Sequence, residues 1–124
     1  MKKEESKRDI EKRSYKFGLD VIKFIDSIKS SNYSTQVIIK QLLRSCTSIG
    51  ANIAESQAAS SKKDFINFLH HALKSANESK FWFCLLRDSG KANNKLVEQL
   101  LAENIELSNI LASIIIKSRN SSSS

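Results

Sequence analysis

A chain of 124 residues that is 40% hydrophobic and 27% charged can enclose one core and is too apolar to remain unfolded. It contains no proline and three glycines, which excludes a fold of many tight hairpins and disfavours repeated strand–helix–strand units. Twenty Lys and Arg outweigh 13 Asp and Glu, for a net charge of +7, and residues 1–16 and 34–88 each carry +3 of it. A balance of that sign attracts polyanions, most simply nucleic acid.

What remains is long helices with few corners. The first is expected over about residues 6–29. Ile10, Phe17, Val21, Phe24 and Ile28 follow one another at 7, 4, 3 and 4, the seam of a bundled helix. Ser6 and Asp9 have capping-box spacing. Ser30, Ser31 and Asn32 then break the pattern.

The second helix is expected over about 34–58. Ile39, Leu42, Cys46, Ile49 and Ile53 form its seam, spaced 3, 4, 3 and 4. Beside the seam run two further strips. One is small: Thr47, Gly50, Ala51, Ala54 and Ala58. The other is polar: Gln41, Ser45, Ser48, Asn52 and Glu55. Small side chains let a neighbouring backbone come close, so this helix is expected to be covered on more than one side.

The third helix is expected over about 62–87. Ser61 and Asp64 form a second capping box, and Gly90 follows as a left-handed stop. Phe65, Leu69, Ala72, Ala76, Ser79, Phe83 and Leu86 alternate at 4 and 3. Residues 81–86 are all apolar, a turn that calls for cover all round. The fourth helix, about 94–119, starts at Asn93 or Asn94. Its seam is Val97, Leu100, Leu107, Leu111 and Ile114, with polar Asn104 in one seam position. Lys117 and Arg119 near its end complement the helix dipole.

Four such helices with short joints predict an all-α, antiparallel up-down-up-down four-helix bundle in one domain, residues 1–120, with a disordered serine tail at 121–124. Helices one to three carry more apolar surface than one bundle hides. The expectation is a homo-oligomer whose interface uses Phe81, Trp82 and Leu85 together with Tyr15 and Leu19.

Chemistry is scarce. His70 and His71 lack the Glu-x-x-His context of a bundled metal centre, and adjacent helical positions diverge by about 100°, so no metal and no cofactor are expected. No nucleophile motif or phosphate-cradling glycine loop occurs. Glu55 and Glu78 could face each other, but a helix-tethering ion pair with Arg44 or Lys74 is the simpler expectation. The chain therefore reads as a non-enzyme. Cys46 and Cys84 lack metal-ligand spacing and read as buried free thiols in a reducing compartment. The charged N-terminus is no signal peptide, and the apolar run 110–116 is too short for a bilayer. A cytoplasmic protein with no membrane contact is expected.

The segment Gln41-Leu42-Leu43-Arg44-Ser45-Cys46-Thr47-Ser48-Ile49-Gly50-Ala51-Asn52-Ile53-Ala54-Glu55 resembles the Q-L-x-R-S-x-x-S-I-x-A-N-I-x-E signature of the bacterial four-helix bundle family of 23S rRNA-intervening sequence proteins. Ser61 to Ile66, Ala76-x-Glu78-Ser79-x-Phe81-Trp82 and Leu85 to Asp88 resemble it too, and the likeness covers about residues 10–118. Cys46 and Cys84 stand outside the pattern. The resemblance implies an antiparallel bundle assembled as a homopentamer. It also implies kinship with the accessory variability determinant of diversity-generating retroelements, a basic pentamer that binds nucleic acid and a reverse transcriptase.

Within that motif, Ser45, Ser48, Ile49, Asn52, Glu55 and Glu78 either position helices or line a subunit seam or ligand surface. Phosphate contact is expected from Lys40, Arg44, Lys62, Lys63, Lys74, Lys80 and Arg87. No aromatic is interleaved for base stacking, so binding to RNA or DNA would follow the backbone and weaken with salt. The alternative is a scaffold for a protein partner, such as a reverse transcriptase. A polar pocket around Glu55 and Glu78 is a third possibility.

Overall fold

The computed structural model describes the backbone of residues 2–121 and the side chains of residues 10–121. Among these the chain forms four helices: α1 Lys2–Ser27, α2 Tyr33–Gln57, α3 Lys62–Ser89 and α4 Asn94–Asn120. Each packs on two neighbours, in the cyclic order α1, α2, α3, α4, so α1 and α3 lie diagonally across the core. Connections of only a few residues return each long helix beside the one before it.

Local signals set most boundaries. Ser61 caps α3, its Oγ accepting from the Asp64 N–H at 3.1 Å, and Asn93 caps α4 through the Leu96 N–H at 3.1 Å. Gly90 ends α3 in the left-handed region, φ 68°, a conformation that an L side chain would strain. The start of α1 departs from expectation. The helix begins at Lys2 and runs through Ser6, because Lys and Glu at positions 2–5 are good helix formers and need no stop before a cap. The Ser6–Asp9 box lies outside the described side chains. α1 also ends at Ser27, two residues early, in a tight turn closed by Ile28 N–H on the Ile25 carbonyl. Of the serine tail, Ser121 is placed, its hydroxyl donating to the Ser118 carbonyl; residues 122–124 lie outside the described residues.

The core follows the seams, except that Ile28, beyond the end of α1, and Phe65, in the first turn of α3, are only half-buried, and that α1 and α4 each show an adjustment. On α1, Ser14 fills the gap between Ile10 and Phe17 and is buried. On α4, Leu101 and Ile115 are buried, and Leu100 and Ile114 are only half-buried. Both pairs straddle the stripe, and α4's packing between α3 and α1 decides which member points inward. Phe17 and Phe83 meet edge-to-face across the diagonal, centroids 6.3 Å apart. Asn104 is wholly buried. Its Nδ2 donates to the Ala76 carbonyl at 2.9 Å, and its Oδ1 has no partner among the described residues.

By length and composition α4 could cross a membrane, contrary to the reading of residues 110–116 alone. In the bundle its apolar stripe packs on α3 and α1 instead.

The small strip on α2 admits a neighbour at one point. A Cβ on Gly50 would sit 3.4 Å from Ser14 Oγ, so α1 approaches closely there. Thr47, Ala51, Ala54 and Ala58 are exposed, contrary to expectation. Gly50 borders the seam, whereas the others are turned about 40–100° further around the helix. The apolar turn 81–86 is likewise covered on one side only. Phe83 and Leu86 are buried, Trp82 and Cys84 half-buried, and Phe81 and Leu85 exposed.

Candidate functional site

The polar strip of α2 meets a matching strip on α3. Ser75, Glu78, Ser79 and Trp82 recur at 3, 1 and 3 and share one face of α3. The Ser45 and Ser79 hydroxyls are 2.8 Å apart and both wholly buried. Ser79 is also 2.9 Å from the Ser75 carbonyl, and the Ser75 and Ser48 hydroxyls are 2.9 Å apart. Asn52 Nδ2 donates to the Ser48 carbonyl at 2.9 Å and to its Oγ at 3.1 Å.

At the surface end Arg44 accepts no burial. Its Nε donates to Gln41 Oε1 at 3.0 Å and its Nη2 to Glu78, whose Oε2 also accepts from Trp82 Nε1 at 2.9 Å. Ile49 anchors the same stretch in the core. The motif is therefore a polar zipper joining α2 to α3, and these pairings show the two helices running antiparallel.

Glu55 does not join it. It lies eleven residues from Arg44 along α2, about 16 Å, and so nowhere near Glu78. The pairing of the two glutamates does not form, and the tether with Arg44 does. Ser75 was missed by sequence reasoning, although its spacing to Glu78 and Ser79 marked the partner strip.

The thiol beneath the zipper is inert. Burial pushes Cys46 up to about 12, and a hydrogen bond with Ser79 offsets this only in part. Cys84 is half-buried and also free.

The cations expected to bind phosphate divide into two sets. Arg44 is engaged by Glu78. Arg87 is half-buried, with Nε 2.9 Å from Asp88 and Nη1 3.7 Å from Glu98. The hydrogen bond from Arg87, helped by its charge, holds the Asp88 carboxyl below the usual carboxylate range. These two arginines are thus neutralised within the chain and are not open bases. Lys40, Lys63, Lys74 and Lys80 are exposed and pair with no acid among the described residues. Lys62 donates to the Ser121 carbonyl at 3.2 Å.

Three groups that sequence reasoning did not place in this site join the lysines where α3 begins and α4 ends. Lys117 lines a groove with Lys62. Arg119 and His70 border a second groove, of about 420 Å³, with Lys62, Lys63, Ile66 and Asn67. The signal for Lys117 and Arg119 was present in the last turn of α4, where they read only as complements to the helix dipole. No Asp or Glu among the described residues lines either groove. No cluster of His, Cys, Asp and Glu able to hold a metal occurs among the described residues.

The apolar positions assigned to an interface are open in the single chain. Tyr15 is 71% exposed, Leu19 43%, Phe81 56% and Leu85 40%, and Trp82 stacks edge-to-face on Phe81 at 5.1 Å.

Comparison with known proteins gives two findings. A family model described as 23S rRNA-intervening sequence protein matches residues 6–113. A solved structure from Bacteroides thetaiotaomicron, described as a protein with unknown function from the S23 ribosomal protein family, is 34% identical with a TM-score of 0.82. The match covers 90% of this chain and 98% of that one. No curated protein matches.

Proposed function

The chain belongs to the family of 23S rRNA-intervening sequence proteins, and on that footing we propose that it is a non-enzymatic, cytoplasmic, up-down-up-down bundle that assembles with itself and holds RNA or DNA by the phosphate backbone. The observation that carries the nucleic-acid reading is the uneven neutralisation of charge. Arg13, Lys16, Arg44 and Arg87 each pair with a carboxylate, whereas exposed Lys40, Lys74, Lys80, Lys91 and Lys95 form no ion pair among the described residues. At the end where α3 begins and α4 finishes, Lys62, Lys63, Lys117 and Arg119 have no such partner among the described residues. Unneutralised cations in such excess favour a polyanion, and phosphate contacts release counterions on binding.

Self-assembly has its own support. Tyr15, Leu19 and Ile22 share one exposed face of α1, and Phe81 and Leu85 share one of α3. Because α1 and α3 are diagonal, the two faces open on opposite sides. Head-to-tail contact between such faces generates a ring if the rotation closes. Five copies is the number that the family resemblance implies.

Light scattering of dilute protein tests the ring: the expected mass is about five times 14.0 kDa, and stable 14.0 kDa particles overturn it. Binding of duplex RNA and of DNA across a salt series tests the rest. Affinity is expected to fall steeply between about 50 and 200 mM salt. No binding to either at low salt overturns the nucleic-acid reading and favours a protein partner on the bundle surface.

A further inference from the structure

The apolar seams of the helices do not run equally far toward the end where α3 begins and α4 finishes. Ser14 of α1 meets α2 at Gly50, Arg13 pairs with Glu103 of α4, and Ser48 of α2 meets Ser75 of α3. These pairings put Ile10 about level with Glu106 of α4 and Leu69 of α3. Residues 2–9 include no apolar residue, so the seam of α1 stops at Ile10. α3 and α4 carry apolar residues at least a turn further, among them Phe65, Ile110 and Ile114, all half-buried.

Those three residues floor a groove of about 670 Å³ lined by α2, α3 and α4. Ser56 of α2, 2% exposed, lines its inner wall. Lys62 and Lys117 border it, and no Asp or Glu among the described residues does. One of the three Lys62 N–H donors goes to the Ser121 carbonyl at 3.2 Å, which leaves the ammonium able to bind an anion as well. Ile110, Ile114 and Lys117 follow at 4 and 3 on one face of α4, so an apolar stripe about 6 Å long leads directly to a cation.

We propose that this groove binds a medium-chain fatty acid, its alkyl tail along Phe65, Ile110 and Ile114 and its carboxylate between Lys62 and Lys117. The inference is independent of the nucleic-acid reading. The groove has the size of a small-molecule site, roughly 300–1,000 Å³. A phosphodiester backbone is polar throughout and gains nothing from an isoleucine floor. A wholly apolar molecule gains nothing from two lysines. An amphipathic anion uses both, through burial of its tail and charge-assisted hydrogen bonds to its head.

The test is equilibrium dialysis of the full chain against radiolabelled straight-chain carboxylates, from butyrate to dodecanoate, below their micelle concentrations. Decanoate is expected to bind once per chain. From hexanoate to decanoate each added methylene should tighten binding about fourfold, and the gain should level off at dodecanoate as the tail outgrows the groove. Decylammonium, the same tail with the opposite charge, should bind at least about tenfold more weakly than decanoate. Lys62→Gln/Lys117→Gln should weaken decanoate about tenfold, while Lys40→Gln/Lys80→Gln, which removes the same charge elsewhere, should leave it unchanged. Ser113 is exposed and lines the groove. Ser113→Trp therefore fills the groove from its open side and should also weaken decanoate about tenfold, with helix content unchanged by circular dichroism.

Absence of binding by every carboxylate overturns the proposal. Equal affinity for decylammonium, equal losses in the two double variants, or undiminished binding by a folded Ser113→Trp variant does so too. Capture by phosphatidylglycerol vesicles without binding of free decanoate would also overturn it and assign the lysines to a membrane surface. None of these outcomes bears on the binding of RNA or DNA.

Discussion

The two seams on either side of the core are built differently. Between α2 and α3 the facing side chains are small and polar: Ser45, Ser48, Asn52, Ser75 and Ser79, stitched by hydroxyl contacts of 2.8–2.9 Å. Between α1 and α4 the contacts are large and apolar. Phe17, Phe24 and Leu100 floor a groove of about 600 Å³, and one bidentate ion pair, Arg13 to Glu103 at 3.0 and 2.7 Å, bridges it. Small groups let α2 and α3 pack close and demand matched partners, because a buried hydroxyl without one is costly. Large groups tolerate a wider gap and specify register less tightly. The seam that carries the family motif is thus the one in which register matters most.

The largest expected effect lies on the apolar side. Phe17→Ala removes a fully buried ring and its contact with Phe83, and urea unfolding should show a loss of about 3–5 kcal/mol. A loss below 1 kcal/mol would mean that the wide seam collapses to refill the space, and the contrast with the tight seam would weaken.

The thiol under the zipper gives a pH signature. Its folded value is raised, so its contribution is intact below the ordinary thiol value of 9.0 and is lost as pH rises toward about 12. Relative to Cys46→Ala, the parent should lose about 2 kcal/mol by about pH 10.5 in urea titrations, through roughly 1.4 kcal/mol per pH unit. A stability gap that does not change with pH would place Cys46 in a wetter seam than the structure shows.

Hydroxyl matching is read by a double-mutant cycle. Ser79→Ala should cost about 1–2 kcal/mol, because it leaves the buried Ser45 hydroxyl only its 3.3 Å contact with the Leu42 carbonyl. Ser45→Ala with Ser79→Ala should cost less than the two single changes added together. Strict additivity would show that the ladder is not a coupled unit. The smallest effect is across the wide seam. Glu103→Gln should cost less than about 1 kcal/mol, and less again at high salt, because Arg13 and Glu103 are each one-third exposed.

Much of the fold was legible because helical periodicity is a local property. The seams of α2 and α3 held residue for residue from Ile39 to Ile53 and from Leu69 to Leu86. The caps at Ser61 and Asn93 and the stop at Gly90 are local as well. On α4 the choice of Leu101 over Leu100 and Ile115 over Ile114 was not legible, since both members of each pair border the stripe. The motif on α2 was legible as a polar strip, but not its partner. Ser75 acquires meaning only when α3 folds back beside α2 at the level of Ser48.

Composition and spacing by themselves determined four long amphipathic helices, a basic surface and surplus apolar faces, because these depend on residue type and the 3.6-residue turn alone. Tertiary structure decided which charges survive. Arg44 and Arg87 meet carboxylates, 34 residues away in one case and 11 in the other, while Lys62, Arg119 and His70 converge from opposite ends of two helices. Neutralisation depends on distances of a few ångströms between residues remote in the chain, and only the packed bundle sets those distances.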